Sequence, residues 1–212
     1  MFPIVHARQL SDAVFEMGVA APAIAAKARA GQFLILRVAE GGERIPLTFS
    51  DWSAEKGWIR FIFMRVGKTT HQLSHLGVGD SLADVVGPLG VPTHVEDVGR
   101  VAVIGGGVGA AVAYPVARAM CDAGADVTVV LGARNAELLI LEDEFRALPL
   151  KELIITTDDG SAGRKDLVTA PLRELCEADA LDHVMAIGPA IMMKFCAATT
   201  REFGIPTTVS LN

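Results

Sequence analysis

Val101-Ala102-Val103-Ile104-Gly105-Gly106-Gly107-Val108-Gly109-Ala110-Ala111 is the stretch on which the reading of this chain turns. Four β-prone apolar residues run into a cluster of glycines, and small apolar residues then open a helical pattern. From Val101 to Ala117 there are 17 residues without a charge, bounded by Arg100 and Arg118. A membrane-spanning helix needs about 20 apolar residues, and Gly105, Gly106, Gly107, Gly109 and Pro115 interrupt this run. It reads as a buried strand, a glycine turn and a helix start. Gly105-x-Gly107-x-x-Ala110 fits the dinucleotide-binding fingerprint, with alanine in the last place. Small residues let the backbone approach a pyrophosphate, and the helix N-terminus supplies N–H groups and the positive end of its dipole. The same glycines would also serve tight strand–helix packing without a ligand.

Downstream, strands and helices alternate. Strands are predicted at residues 101–104, 126–131, 153–157, 183–187 and 207–211, and helices at 109–122, 136–147, 168–177 and 190–203. Buried, Val- and Ile-rich strands joined by helices imply a doubly wound parallel sheet. Such sheets bind ligands outside the carboxyl ends of their strands, so the strand-to-helix turns matter most. Arg134, after the second parallel strand, lies where an adenosine ribose or its phosphate would sit; it hints at NADP or simply caps a helix. Thr156-Thr157-Asp158-Asp159-Gly160-Ser161 follows the third strand, and its aspartates either accept from ribose hydroxyls or hold a turn. Gly188-Pro189-Ala190-Ile191-Met192-Met193 follows the fourth; Pro189 suits the first turn of a helix, and Gly188 lets a flat ring come close.

The first ~97 residues have another texture: short β-rich runs at 32–38, 58–66 and 80–87, separated by Gly, Pro and Asp turns, with one short helix at 69–76. That pattern predicts an antiparallel barrel or sandwich. Two segments there suit a phosphorylated ligand. Arg44-Ile45-Pro46-Leu47-Thr48 combines a cation, a rigid turn residue and a hydroxyl. Arg65-Val66-Gly67-Lys68-Thr69-Thr70 leaves a strand for a helix with a lysine and two hydroxyls, although it is not a P-loop. The expected organisation is a barrel domain over residues 1–97 and an α/β domain over 98–212.

Composition narrows the function classes. Of the 212 residues, 51% are hydrophobic and 21% charged, which excludes disorder. Lys and Arg total 19 against 25 acids, a net charge of −6, so no nucleic-acid partner is expected. Mean hydropathy is +0.40, but the N-terminus has neither a basic start nor a long apolar stretch, and a cytoplasmic protein without membrane insertion is expected. Cys121, Cys176 and Cys196 include no C-x-x-C and read as free buried thiols; no metal site is expected among them.

The motif order resembles the ferredoxin–NADP reductase superfamily. It runs R-x-P-L-T (44–48), G-K-x-T (67–70), G-P-L-G (87–90), G-G-G-V-G (105–109), T-T-D-D-G-S-x-G (156–163), G-P-x-x-M-M-K (188–194) and V-S-L-N (209–212). Within it, the chain resembles the small NAD(H)-binding subunits of sulfide dehydrogenase and of NADH-dependent ferredoxin–NADP oxidoreductase, and the electron-transfer subunit of dihydroorotate dehydrogenase. The resemblance implies an N-terminal FAD-binding barrel and a C-terminal nicotinamide domain. It assigns Arg44, Pro46, Leu47 and Thr48 to the flavin ring and phosphates, with Thr48 near flavin N5. It places Arg65, Val66, Gly67, Lys68, Thr69 and Thr70 around the FAD pyrophosphate. Gly105, Gly106, Gly107, Val108, Gly109, Arg134, Asp158, Gly188, Pro189 and Met192 would line the site for NAD(H) or NADP(H). Ile45 stands where the plainer R-x-Y-[ST] motif has arginine, and Ile187 where many members have cysteine. The relatives continue past V-S-L-N into a cysteine-rich tail holding a [2Fe–2S] cluster, so a cluster is expected only in a tail absent from this chain. The implied activity is hydride exchange between NAD(P)H and FAD, with electrons passed to a larger flavin or iron–sulfur subunit in a heteromer, or to ferredoxin. A free-standing flavin reductase and a non-enzymatic dinucleotide-binding module are the alternatives.

Overall fold

Ala83 is all that separates two strands at opposite edges of one sheet, and the sheet must curl to bring them together. The computed structural model describes residues 1–96 and 98–210. Its first unit, Met1–Thr93, contains β1 (Phe2–Gln9), β2 (Val14–Ala20), α1 (Pro22–Ala25), β3 (Phe33–Arg37), β4 (Arg44–Ser53), β5 (Trp58–Met64), α2 (Lys68–Leu73), β6 (Ser81–Leu82) and β7 (Asp84–Leu89). The order β6-β1-β2-β5-β4-β3-β7 is antiparallel throughout and forms a nearly closed barrel. Phe49, Phe61, Phe63, Met17, Leu34 and Ile59 fill its interior.

Three strands of this unit lie outside those predicted from the sequence. β1 and β2 were missed because Glu16 and Gly18 interrupt the apolar pattern of β2. Glu16 is nonetheless buried, because β1 delivers His6 to its carboxylate at 2.6 Å and Arg8 at 3.2 Å; a buried charge is tolerable only when paired in this way. The segment read as a rigid turn at 44–48 is instead the first half of the ten-residue strand β4.

The second unit, His94–Asn212, contains β8 (Arg100–Gly106), a 3-10 turn (Gly107–Gly109), α3 (Ala110–Asp122), β9 (Asp126–Ala133), a second 3-10 turn (Ala136–Leu138), α4 (Glu142–Arg146), β10 (Glu152–Thr157), β11 (Arg164–Lys165), α5 (Thr169–Glu177), β12 (His183–Ile187), α6 (Ala190–Glu202) and β13 (Thr207–Val209). All pairings are parallel, in the order β11-β10-β9-β8-β12-β13. The charge-free run is thus a strand, a turn and a helix, and no helix among the described residues is long and apolar enough to cross a membrane. The helix predicted over 136–147 divides in two. Buried Ile140 and Leu141 anchor the break, and Leu141 takes the left-handed conformation at φ 62°. The strand expected to reach Leu211 ends at Val209; Leu211 and Asn212 lie outside the described residues.

Phe61 is fully buried at the centre of the barrel. Replacing it with alanine removes a large side chain from a packed interior and should cost about 3–5 kcal/mol, read as a lower urea midpoint. A loss below about 1 kcal/mol would show that this is not the core.

Candidate functional site

In the second unit, β8 lies between β9 and β12. The chain leaves β8 through α3 to β9 on one side, and β12 takes the other side only later. That reversal of strand order opens a crevice beyond the carboxyl ends of β8 and β12, and the two motifs at 105–109 and 188–192 meet there. A Cβ at Gly109 would overlap the Ile187 carbonyl and lie 2.7 Å from Gly188 Cα. One at Gly106 would overlap the Met192 sulfur and lie 3.2 Å from Pro189 Cδ. At Gly188 a Cβ would meet Met192 Cε at 2.9 Å. Gly105 packs toward α3, where a Cβ would stand 3.3 Å from Ala110 Cα.

Three of the four glycines at 105–109 therefore serve packing, as does Gly188. Gly107 differs: its φ is +54° and nothing lies within 4 Å of where a Cβ would be. It is the place where a ligand backbone has open approach, with Val108 half-buried beside it. Both α3 and α6, 13 residues each, begin at this crevice without a side-chain cap. Each N-terminus carries about half a positive charge, so two of them beside one open turn fit a dinucleotide diphosphate.

The adjoining turns follow β9 and β10. Arg134 is exposed, with no side-chain partner among the described residues, and its carbonyl accepts from the Asp159 N–H at 3.2 Å. The two aspartates separate by role. Asp159 Oδ1 accepts from the Ser161 N–H at 2.9 Å and the Ser161 hydroxyl at 2.6 Å, which hold its carboxyl below the usual range. Asp159 thus holds the turn. The exposed Asp158 side chain has no hydrogen-bond partner among the described residues and is available to ribose hydroxyls.

In the first unit, the barrel splits between β4 and β5. Residues 44–48 pair with β3, but pairing with β5 starts only at Phe49. This leaves one edge of 44–48 free, which is why proline is tolerated at 46. Side chains alternate along a strand. Ile45 and Leu47 pack toward the core, so Leu47 offers a ligand only its backbone, while Arg44, Pro46 and Thr48 take the opposite face. Arg44 is oriented by Asp84 at 2.7 Å, an exposed pair worth at most about 1 kcal/mol and so exchangeable for a phosphate.

Glu43 ties this edge to α2, accepting from the Thr69 hydroxyl at 2.5 Å. Thr70 faces inward: its hydroxyl accepts from the N–H groups of Val66 at 3.1 Å and Gly67 at 3.0 Å. It shapes the turn and is not free for a phosphate. Beside these residues lies an open groove of about 520 Å³ lined by Arg65, Val66, Gly67, Lys68, His71 and Gln72. Arg65 is anchored by the Asp12 carbonyl at 3.1 Å, and Lys68 has no ion-pair partner among the described residues.

One residue escaped sequence reading. Ser50 sits at the β-bulge of β4, buried, with a hydroxyl that lacks any hydrogen-bond partner. No local signal marks it, because the bulge between Phe49 and Asp51 breaks the alternation of β4 there. An open strand edge, an orphaned hydroxyl and an unpaired cation over a glycine with open space (Gly67) fit a flavin dinucleotide. A [2Fe–2S] cluster does not fit the three cysteines. They are free thiols, two of them buried, burial pushes Cys196 up to about 11, and no group of three His, Cys, Asp or Glu able to hold a metal occurs among the described residues.

The family model for the oxidoreductase NAD-binding domain matches residues 103–198. The dihydroorotate dehydrogenase B electron transfer subunit homolog of Thermotoga maritima is 46% identical over 99% of this chain and 73% of its own length. The corresponding subunit of Streptococcus mutans is 34% identical over 91% of this chain and 74% of its own. A solved structure of an NADH-dependent reduced ferredoxin–NADP oxidoreductase superposes with a TM-score of 0.93 at 46% identity, covering all of this chain and 76% of that one.

Gly109 and Gly107 should respond differently to alanine. Gly109→Ala drives a Cβ into the Ile187 carbonyl and should lower the thermal midpoint by several degrees. Gly107→Ala meets open space and bears only its positive φ, about 1 kcal/mol. Equal shifts in a melting experiment would contradict the division between packing and ligand-facing glycines.

Proposed function

Because the chain belongs to the dihydroorotate dehydrogenase B electron transfer subunit family, within the ferredoxin–NADP reductase superfamily, we propose that it takes hydride from NADH onto FAD and passes electrons to a partner subunit. It is a flavin-dependent NAD(H) oxidoreductase. The observation that carries the finer reading is the split in the barrel. There an open strand edge and a cationic groove stand together, in a chain whose other unit holds a dinucleotide turn.

When bound, FAD would supply the redox chemistry, hydride acceptance and electron release, and that transfer would need no protein acid or base. The residues bind and orient. Lys68 and Arg65 offset the diphosphate charge of FAD, and Arg44 exchanges Asp84 for a phosphate oxygen. Thr48 sets a hydroxyl toward the flavin N5 edge, and Ser50 provides a second, dry hydroxyl on the same strand. In the other unit the N-termini of α3 and α6 hold the NADH diphosphate against Gly107, and Asp158 accepts from ribose hydroxyls. The partner is a larger subunit carrying flavin or iron–sulfur centres, as the electron-transfer designation of the relatives suggests, with ferredoxin as an alternative acceptor.

The purified chain should be yellow or become so with FAD, and NADH added without oxygen should bleach the flavin band. Lys68→Ala should weaken FAD binding about tenfold, the loss expected for one charge-assisted contact. Colourless protein that takes up no FAD would overturn the reading.

A further inference from the structure

His71 lies on α2, and His75 lies four residues later in the turn that continues it. Thr69 and Leu73 are buried and fix the inner side of the helix. Positions 71 and 75 fall half a turn away, and both histidines are exposed. The helical backbone persists past Leu73: the Ser74 N–H donates to the Thr70 carbonyl at 3.0 Å and the His75 N–H to the Gln72 carbonyl at 3.2 Å. Residues at i and i+4 are neighbours on a helix surface. The two imidazoles accordingly face each other, with ring centroids 4.8 Å apart and planes inclined by 36°.

A second contact fixes the chemistry of one ring. His75 Nδ1 lies 2.7 Å from the His71 carbonyl oxygen. That oxygen can only accept, so in the neutral ring Nδ1 carries the proton and Nε2 keeps its lone pair. Histidines that ligate metals donate their other ring N–H to a backbone carbonyl in this way, which orients the ring and raises its basicity. The His71 ring nitrogens have no hydrogen-bond partner among the described residues. Two histidines at i and i+4 on one helix face are a recurrent pair of zinc ligands, each nitrogen lying about 2.0–2.1 Å from the ion. The groove that His71 borders is lined by no carboxylate, and Lys68 and Arg65 are on its wall. Magnesium and calcium, which take oxygen ligands, therefore have nothing to bind here. Imidazole nitrogen instead suits zinc, nickel and copper. Of the other histidines, His6 is engaged by Glu16 and His183 by Thr208.

We propose that His71 and His75 chelate a divalent transition-metal ion of the zinc, nickel and copper class, with water completing its coordination. The ion would pin the end of α2 to the turn that follows. The site does not depend on the flavin reading. Zinc chloride is titrated calorimetrically into the full chain, for the wild type, His71→Ala, His75→Ala, the double variant and His94→Ala. The wild type should bind one zinc ion that the double variant does not bind. Each single variant at the pair should lose at least about tenfold in affinity, because removing even an outer partner of a metal ligand costs about 10–100-fold. His94→Ala should bind as the wild type does. Saturating zinc should raise the thermal midpoint of the wild type and leave that of the double variant unchanged, since a ligand stabilises only the fold that binds it. Both side chains are exposed, and midpoints without zinc check that the variants fold. A wild type that binds no zinc would overturn the proposal. So would a double variant that binds zinc as the wild type does, which would place the ion on other groups such as the thiols. Single variants with undiminished affinity would overturn it as well, because a chelate needs both rings.

Discussion

The turn after β8 and the turn after β12 touch through glycine, and the second unit depends on that contact. With any side chain at 109, the Ile187 carbonyl would have to move, and with it the start of α6. Because the contact is backbone against backbone, two helices can begin within one crevice. Their aligned peptide dipoles then converge on the place where Gly107 leaves space. Met192 completes the arrangement by laying its thioether over Gly106 and Gly188. A soft, flexible side chain suits an irregular slot of this kind. The open place at Gly107 between two helix N-termini is thus a consequence of packing.

The first unit reaches the same end by an opposite route. Its sheet is continuous except where β4 and β5 part company, and the free edge at 44–48 carries the polar residues. The charge comes from side chains: Lys68 and Arg65 in the groove, Arg44 on the strand. One unit offers a phosphate fixed dipoles and the other mobile cations.

Much of this was legible in the residues, for identifiable reasons. The parallel sheet announced itself because strands buried on both faces are almost wholly apolar, as in residues 101–104 and 129–131. The barrel was legible only as a class. Glu16 hid β2, since its burial depends on His6 and Arg8 arriving from another strand. Pro46 disguised β4 as a turn, because nothing local shows that one edge of the strand lacks a partner. At the site, motif spacing located the turns but not the division of labour within them. That Thr70 bonds to its own turn, that Asp159 serves Ser161 while Asp158 has no side-chain partner among the described residues, and that Gly105, Gly106, Gly109 and Gly188 pack while Gly107 faces open space are all outcomes of three-dimensional contact. Ser50 belongs to no motif and emerges only from its burial and its unpartnered hydroxyl.

An experimental electron-density map of the chain grown with FAD and NAD+ tests the central claim most directly. The account predicts the nicotinamide dinucleotide diphosphate at Gly107, between the N-termini of α3 and α6, and the flavin dinucleotide diphosphate beside Lys68 and the free edge of β4. Diphosphate density away from both turns, or a single dinucleotide occupying only one unit under saturating conditions, would contradict it.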